Sequence, residues 1–150
     1  MKKTIWFDMD GTIANLYAVE NWLPKLRDYD ASPYAEAEVM HNMSQLARLL
    51  NRVQAVGYGI GIISWLSKFP TPEYDEAVTE AKLSWLNVHL KSVHFDEIHI
   101  VSYGTPKSDF MYTDHDILFD DEKPNRENWE GDAYEPDEIF SVLKELLRQE

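Results

Sequence analysis

Lys3-Thr4-Ile5-Trp6-Phe7-Asp8-Met9-Asp10-Gly11-Thr12 sets the reading of the whole chain. Its first half is an unbroken apolar run of β-branched and aromatic residues, which predicts a buried strand over 3–7. The run stops at two aspartates one residue apart. Extended spacing of two puts both carboxylates on the same side of the backbone. They stand at the end of a strand, where open α/β sheets bind their ligands. Gly11 permits a tight turn with amides exposed to cradle an anion, and Thr12 supports that turn.

Outward from this stretch, Gly59 to Ser64, Glu97 to Ser102 and Ile117 to Phe119 also read as strands. None of them alternates, as expected of parallel strands covered on both faces. Helical patterns lie between. Residues 36–56 place Val39, Met40, Met43, Leu46, Leu49, Leu50 and Val53 at steps of three or four, with Gly57 as a stop. Residues 73–90 carry a similar stripe behind Pro72. Pro136 opens a last helix that buries Ile139, Phe140, Val142, Leu143, Leu146 and Leu147. The alternation predicts an α/β, three-layer Rossmann-like domain with a mostly parallel sheet. A length of 150 residues suits one domain, 1–150. The segment at about 15–35 is longer than the usual loop after a strand and rich in aromatics, including Tyr17, Trp22, Tyr29 and Tyr34. It reads as a small cap-like insertion over the carboxyl end of the sheet; an ordinary first helix with an irregular start is the alternative.

The formal net charge is -13. So acidic a surface repels phosphate backbones and anionic membranes, which argues against a nucleic-acid polymer or a lipid surface as partner. An anionic ligand then needs local attraction, for which a divalent cation is the natural source. The chain has no cysteine, so disulfides and thiolate metal sites are excluded. Too few apolar residues follow Met1-Lys2-Lys3 for a signal segment, and no run approaches membrane-spanning length, so a cytoplasmic protein is expected. His41, His89, His94, His99 and His115 show no paired metal spacing and read as structural or surface residues. The glycines at 57, 59 and 61 precede an apolar run rather than linking strand to helix, so they make no dinucleotide fingerprint.

Asp120-Asp121 follows the Ile117–Phe119 run directly. If that strand neighbours the first, Asp8, Asp10, Asp120 and Asp121 converge at one sheet edge. Like charges so close raise one another's pKa, and a hard cation with oxygen ligands relieves them; Mg2+ fits. Ser64 ends its strand with a hydroxyl for a phosphate oxygen, and Trp65 follows it near the inferred site. Lys107, in the loop after the third strand, is placed to cancel charge on a nucleophile and a transferring phosphoryl group, with Asp109 as a competing partner.

This set resembles the four ordered motifs of the haloacid dehalogenase superfamily of phosphohydrolases: Asp8-Met9-Asp10-Gly11-Thr12, then Ser64, Lys107 and Asp120-Asp121. The stretches Lys82-Leu83-Ser84-Trp85-Leu86-Asn87, 103–109 and 118–125 are similar to the 5'(3')-deoxyribonucleotidase-type branch. The resemblance implies that Asp8 is a nucleophile forming an aspartyl-phosphate, that Asp10 is the acid and base, and that Lys107 assists. It implies Mg2+ on Asp8, the Asp10 carbonyl and Asp120, with Asp121 binding directly or through water. It implies phosphate contacts from Met9, Gly11, Thr12, Ser64 and Lys107. The implied substrate is a small phosphorylated metabolite, a nucleoside monophosphate for that branch, with Trp65, Tyr17, Trp22 and Tyr29 as candidates to stack on a base. A phosphotransferase with the same intermediate and a non-catalytic phosphate-metabolite-binding module are the alternatives. An insertion this small leaves the site open, either to a large substrate or to cover by a second copy in a homo-oligomer.

Overall fold

The computed structural model describes residues 2–149. In chain order the elements are β1 (Thr4–Phe7), β2 (Ala14–Asn15), α1 (Trp22–Arg27), α2 (Ser32–Glu36), β3 (Glu38–Val39), α3 (Met43–Ala55) and β4 (Gly59–Trp65). Then come α4 (Pro72–His89), β5 (Glu97–Val101), β6 (Ile117–Phe119), α5 (Lys123–Asn128), β7 (Asp132–Tyr134) and α6 (Ile139–Arg148). β1, wholly buried, takes the centre of a five-stranded parallel sheet of order β5-β4-β1-β6-β7. Phe7 registers with Ile62 on one side and Phe119 on the other. Strand ends carrying Asp8, Ser64 and Asp120 therefore emerge side by side. The fold is α/β with a parallel sheet flanked by helices, as the strand–helix alternation predicts.

The two sheet faces are covered unequally. Ile5, Phe7, Ile60, Ile62, Ile117 and Phe119 share one core with Leu46, Leu50 and Val53 of α3, Trp85 and Leu86 of α4, and Ile139, Leu143 and Leu146 of α6. The strand period of two sends Trp6, Ile63 and Leu118 to the other face. There they meet Trp129, Phe110 and Met111 from the shorter connections around β6. Gly61 is required on that face, since a Cβ there would stand 2.2 Å from the Trp6 ring.

Residues 36–42 depart from the helix expected over 36–56. Glu36 ends α2, β3 pairs antiparallel with β2, and α3 starts at Met43. Asn42 caps it, its side-chain oxygen accepting from the Gln45 amide at 3.0 Å. Val39 and Met40, which fit the helical stripe by spacing, are each 38% exposed. α5 and β7 escape the sequence pattern because they are short and polar, with no apolar run. The β2–β3 pair clips together the two ends of the segment between them. That segment holds a 3-10 turn (Leu16–Ala18), α1 and α2. It builds a small core of Leu16, Leu26 and Tyr34 against Tyr74 and Val78 of α4. No helix among the described residues is long and apolar enough to cross a membrane.

At the amino-terminal edge of the sheet one buried carboxylate ties the central strands. Asp116 Oδ1 accepts from the Thr4 amide at 2.9 Å and Thr113 Oγ1 at 2.7 Å. Its Oδ2 accepts from Trp6 Nε1 at 3.0 Å and the Tyr112 amide at 2.8 Å. Removing it orphans several buried donors at about 1–3 kcal/mol each. Asp116→Ala is expected to lower unfolding free energy by about 3 kcal/mol or more, measured by urea denaturation; a loss under about 1 kcal/mol would show that water replaces these bonds.

Candidate active site

β1 hands over to a tight loop whose own bonds fix it. The amides of Thr12, Ile13 and Ala14 all reach Met9 O, at 3.0–3.1 Å, and the Gly11 amide donates to Ala14 O at 2.8 Å. The Gly11 amide is thus engaged within the loop, whereas the Met9 amide donates to no described residue. The Met9 side chain is buried in the main core. Gly11 has a φ of 81°, and a Cβ there would lie 2.3 Å from Asp121 Oδ2. Glycine is needed both for the left-handed backbone and for the close approach of that carboxylate.

Three carboxylates gather around this loop. Oxygens of Asp8, Asp120 and Asp121 lie within 4.8 Å of one another. Lys107, on a 3-10 turn (Lys107–Phe110), stands between two of them, with Nζ 3.0 Å from Asp8 Oδ1 and 2.7 Å from Asp120 Oδ2. Asp109 does not compete for it. Thr12 is fully buried; its hydroxyl donates to Asp8 Oδ2 at 3.0 Å and accepts from the Asp121 amide at 3.2 Å. Asp120, also buried, accepts from the Glu122 amide at 3.0 Å and Asn125 Nδ2 at 3.1 Å. Asp121 has less support. Burial, with the Asp8 charge beside it, pushes Asp121 up to about 8, and the same causes take Asp120 up to about 6 against the pull of Lys107. Burial pulls Lys107 down, but Asp8 and Asp120 outweigh it and leave the lysine raised.

Asp10 and Ser64 meet across a residue to which the sequence motifs assign no role. Lys82, in the middle of α4, is 1% exposed. Its Nζ donates to Asp10 Oδ2 at 3.0 Å, Ser64 Oγ at 2.6 Å and Trp65 O at 2.7 Å, and stands 5.0 Å from the Tyr34 ring centre. Burial raises Asp10, and Lys82 opposes it. The signal is present in the sequence: Lys82 occupies the stripe of Val78, Trp85 and Leu86, where α4 is otherwise apolar and buried.

Above these groups is a cavity of about 270 Å³. Asp8, Asp10 and Asp121 line its floor. The insertion contributes Leu16, Tyr17, Trp22, Leu23, Leu26 and Tyr34, and the end of β4 with the chain that follows contributes Trp65, Leu66 and Phe69. Trp65 is fixed by its Nε1, which donates to Thr105 O at 2.9 Å, and by Tyr103, 5.0 Å away. Tyr29 is not among the lining residues; it packs edge-on against Tyr74. Among the histidines, His41 approaches the loop most directly, with Nε2 2.7 Å from Thr12 O, and its ring packs against Phe140. The structure thus brings together Asp8, Asp10, Thr12, Ser64, Trp65, Lys107, Asp120 and Asp121, and adds Lys82 and Asn125.

No family profile and no curated protein matches the chain. Several solved structures are similar to it, and two of them serve for comparison. D,D-heptose 1,7-bisphosphate phosphatase from Burkholderia thailandensis aligns with a TM-score of 0.52 at 15% identity, over 84% of this chain and 70% of that one. A chain of the Pnkp1/Rnl/Hen1 complex aligns with a TM-score of 0.58 at 16% identity, over 90% of this chain and 45% of that one, so this chain spans less than half of it. At these identities the likeness establishes the α/β fold that the two share with this chain.

Raised carboxyls couple the site to stability. Unfolded aspartates release their protons near about pH 4, whereas folded Asp120 and Asp121 hold theirs to about 6 and about 8. Between those limits the folded state binds more protons, so its stability falls as pH rises. In chelator, Tm is expected to decline from about pH 5 to about pH 8, and Asp121→Asn to flatten the upper part of that slope. A Tm that rises across the range would contradict the crowding of these carboxyls.

Proposed function

We propose that the chain is a magnesium-dependent phosphomonoester hydrolase of the haloacid dehalogenase type, with Asp8 as nucleophile. The observation that carries this reading is the buried triad of Asp8, Lys107 and Asp120, with Asp10 two residues on beside the same cavity. A surface aspartate needs no such support. The donor set also suits a hard divalent cation: the clustered oxygens of Asp8, Asp120 and Asp121 are all carboxylate, and burial together with mutual repulsion raises the pKa of Asp120 and Asp121. Bound by Asp8, Asp120 and Asp121, with the Asp10 carbonyl as a further ligand, Mg2+ would neutralise the carboxylates and draw charge from the phosphoryl oxygens.

The residues then divide the reaction. Lys107 holds one Asp8 oxygen and balances the incoming phosphate; Thr12 holds the other. Asp8 attacks phosphorus in line, and Asp10 gives a proton to the departing ester oxygen. Asp10 next takes a proton from the water that cleaves the aspartyl-phosphate. The insertion acts as a cap, its aromatic and apolar wall burying the leaving group while excluding water. A leaving group that carries a flat ring to stack on Tyr17, Trp22 or Trp65 fits this wall, which supports a nucleoside monophosphate, with its base, as substrate.

Phosphate release is measured from deoxyribo- and ribonucleoside monophosphates, sugar phosphates and an aryl phosphate, with and without Mg2+. The expected result is Mg2+-dependent release, fastest from nucleotides, and lower by about a thousandfold or more in Asp8→Asn. Release that survives in Asp8→Asn would overturn the nucleophile. A preference for sugar phosphates would keep the chemistry and overturn the substrate. Metal-linked binding without release would favour the binding module.

A further inference from the structure

We infer that Lys82 is a positioning residue for this reaction, anchored on Ser64 and aiming Asp10 at the leaving group of the substrate. The inference rests on the reading of Asp8 and Asp10 as nucleophile and acid, and gives a role to a buried cation that this reading leaves unused.

A lysine in the buried stripe of a helix carries a desolvation cost, and an apolar residue of the same volume commonly gives equal or better stability there. Position 82 faces Val78, Trp85 and Leu86 along α4, where methionine or leucine would fill the space. Lysine brings three donors, and each has its own acceptor: Asp10 on the loop after β1, and Ser64 Oγ and Trp65 O at the end of β4. Nζ therefore ties the loop that carries the acid to the strand end that carries the hydroxyl.

Both side chains are oriented by these bonds. Ser64 Oγ accepts from Lys82, so its own proton points away from Nζ, and no described residue accepts it. Ser64 is itself fully buried and does not line the cavity, so it anchors Lys82 to the end of β4. Asp10 Oδ2 is held by Lys82, while Oδ1 takes no bond from a described residue, on a side chain that lines the cavity beside Asp8. Oδ1 is then the oxygen presented to the leaving group. As an Asp8 oxygen bonds to phosphorus, the ester P–O bond breaks, its electron pair stays on the ester oxygen, and the Asp10 proton moves to that oxygen. Without Lys82 the Asp10 carboxyl turns freely, and the proton is misplaced at the moment the bond breaks.

The test exploits leaving-group chemistry. An alkyl phosphate needs the proton from Asp10, whereas 4-nitrophenyl phosphate expels a stable anion without it. kcat/KM is measured for both esters, with Mg2+, in the unmodified protein, Lys82→Met and Asp10→Asn. In Lys82→Met the loss on the alkyl ester is expected to exceed that on the aryl ester by about tenfold or more, in the pattern of Asp10→Asn. Equal losses on the two esters, the result of a merely structural role, would overturn the inference. If the melting curve shows that Lys82→Met does not fold, the same ratio is read in Lys82→Gln, where a larger loss on the alkyl ester supports the inference and equal losses overturn it. An unmodified protein that hydrolyses neither ester would overturn the phosphohydrolase reading and this inference with it, a result visible before any variant is made.

Discussion

The ion pair on which the site depends is the one that Lys107 makes to Asp8 and Asp120 at once. A parallel sheet with β1 beside β6 delivers two aspartates to adjacent strand ends whether or not their charges are compatible. One buried ammonium between them makes the arrangement tolerable. The surrounding geometry follows from that. Thr12 secures the Asp8 oxygen that Lys107 does not hold, Asn125 and the Glu122 amide secure Asp120, and Gly11 vacates the space that Asp121 enters.

The opposite edge of the sheet matters for the same reason. Asp116 precedes β6 yet binds the Thr4 amide and the Trp6 indole of β1. It fixes the register of the two central strands at their amino ends, and so the height at which Asp8 and Asp120 emerge at their carboxyl ends. Packing does likewise for the second half of the site. The small core of Leu16, Leu26 and Tyr34 holds the insertion against the amino half of α4, and Lys82, one turn beyond Val78, extends from that helix to Asp10. The tertiary fit of α4 therefore sets the reach of the ammonium.

What the sequence discloses follows from how locally each feature is encoded. β1, β4 and β6 are short apolar runs ending in polar groups, and they are legible with the residues that follow them. Lys107 is legible by its place in the loop after β5. Residues 36–42 mislead because Val39 and Met40 match a helical period by coincidence, while the pairing of β3 with β2 is non-local. β7 has one apolar side chain flanked by Asp132 and Tyr134, and nothing in it reads as a strand without its neighbour β6. Lys82 escapes notice because lysine on a helix ordinarily lies at the surface; the informative fact is the side of the helix it occupies.

Charge balance joins these parts. Asp8, Asp10, Asp120 and Asp121 meet two buried lysines, Lys82 and Lys107, so the fully ionised site is short of two positive charges. Protons make up that deficit in part, which is why Asp121 and Asp120 hold theirs far above the ordinary range. In the proposed reading a dication would make it up entirely, and would compete with those protons for the same oxygens. On a chain of net charge -13, a phosphate dianion, as proposed, would gain nothing from the distant field and would have to be drawn by charge inside the site. The apolar, aromatic wall over the carboxylates has a consistent place in the proposed reaction: it would supply to the leaving group the binding energy that the global electrostatics withholds from the phosphate.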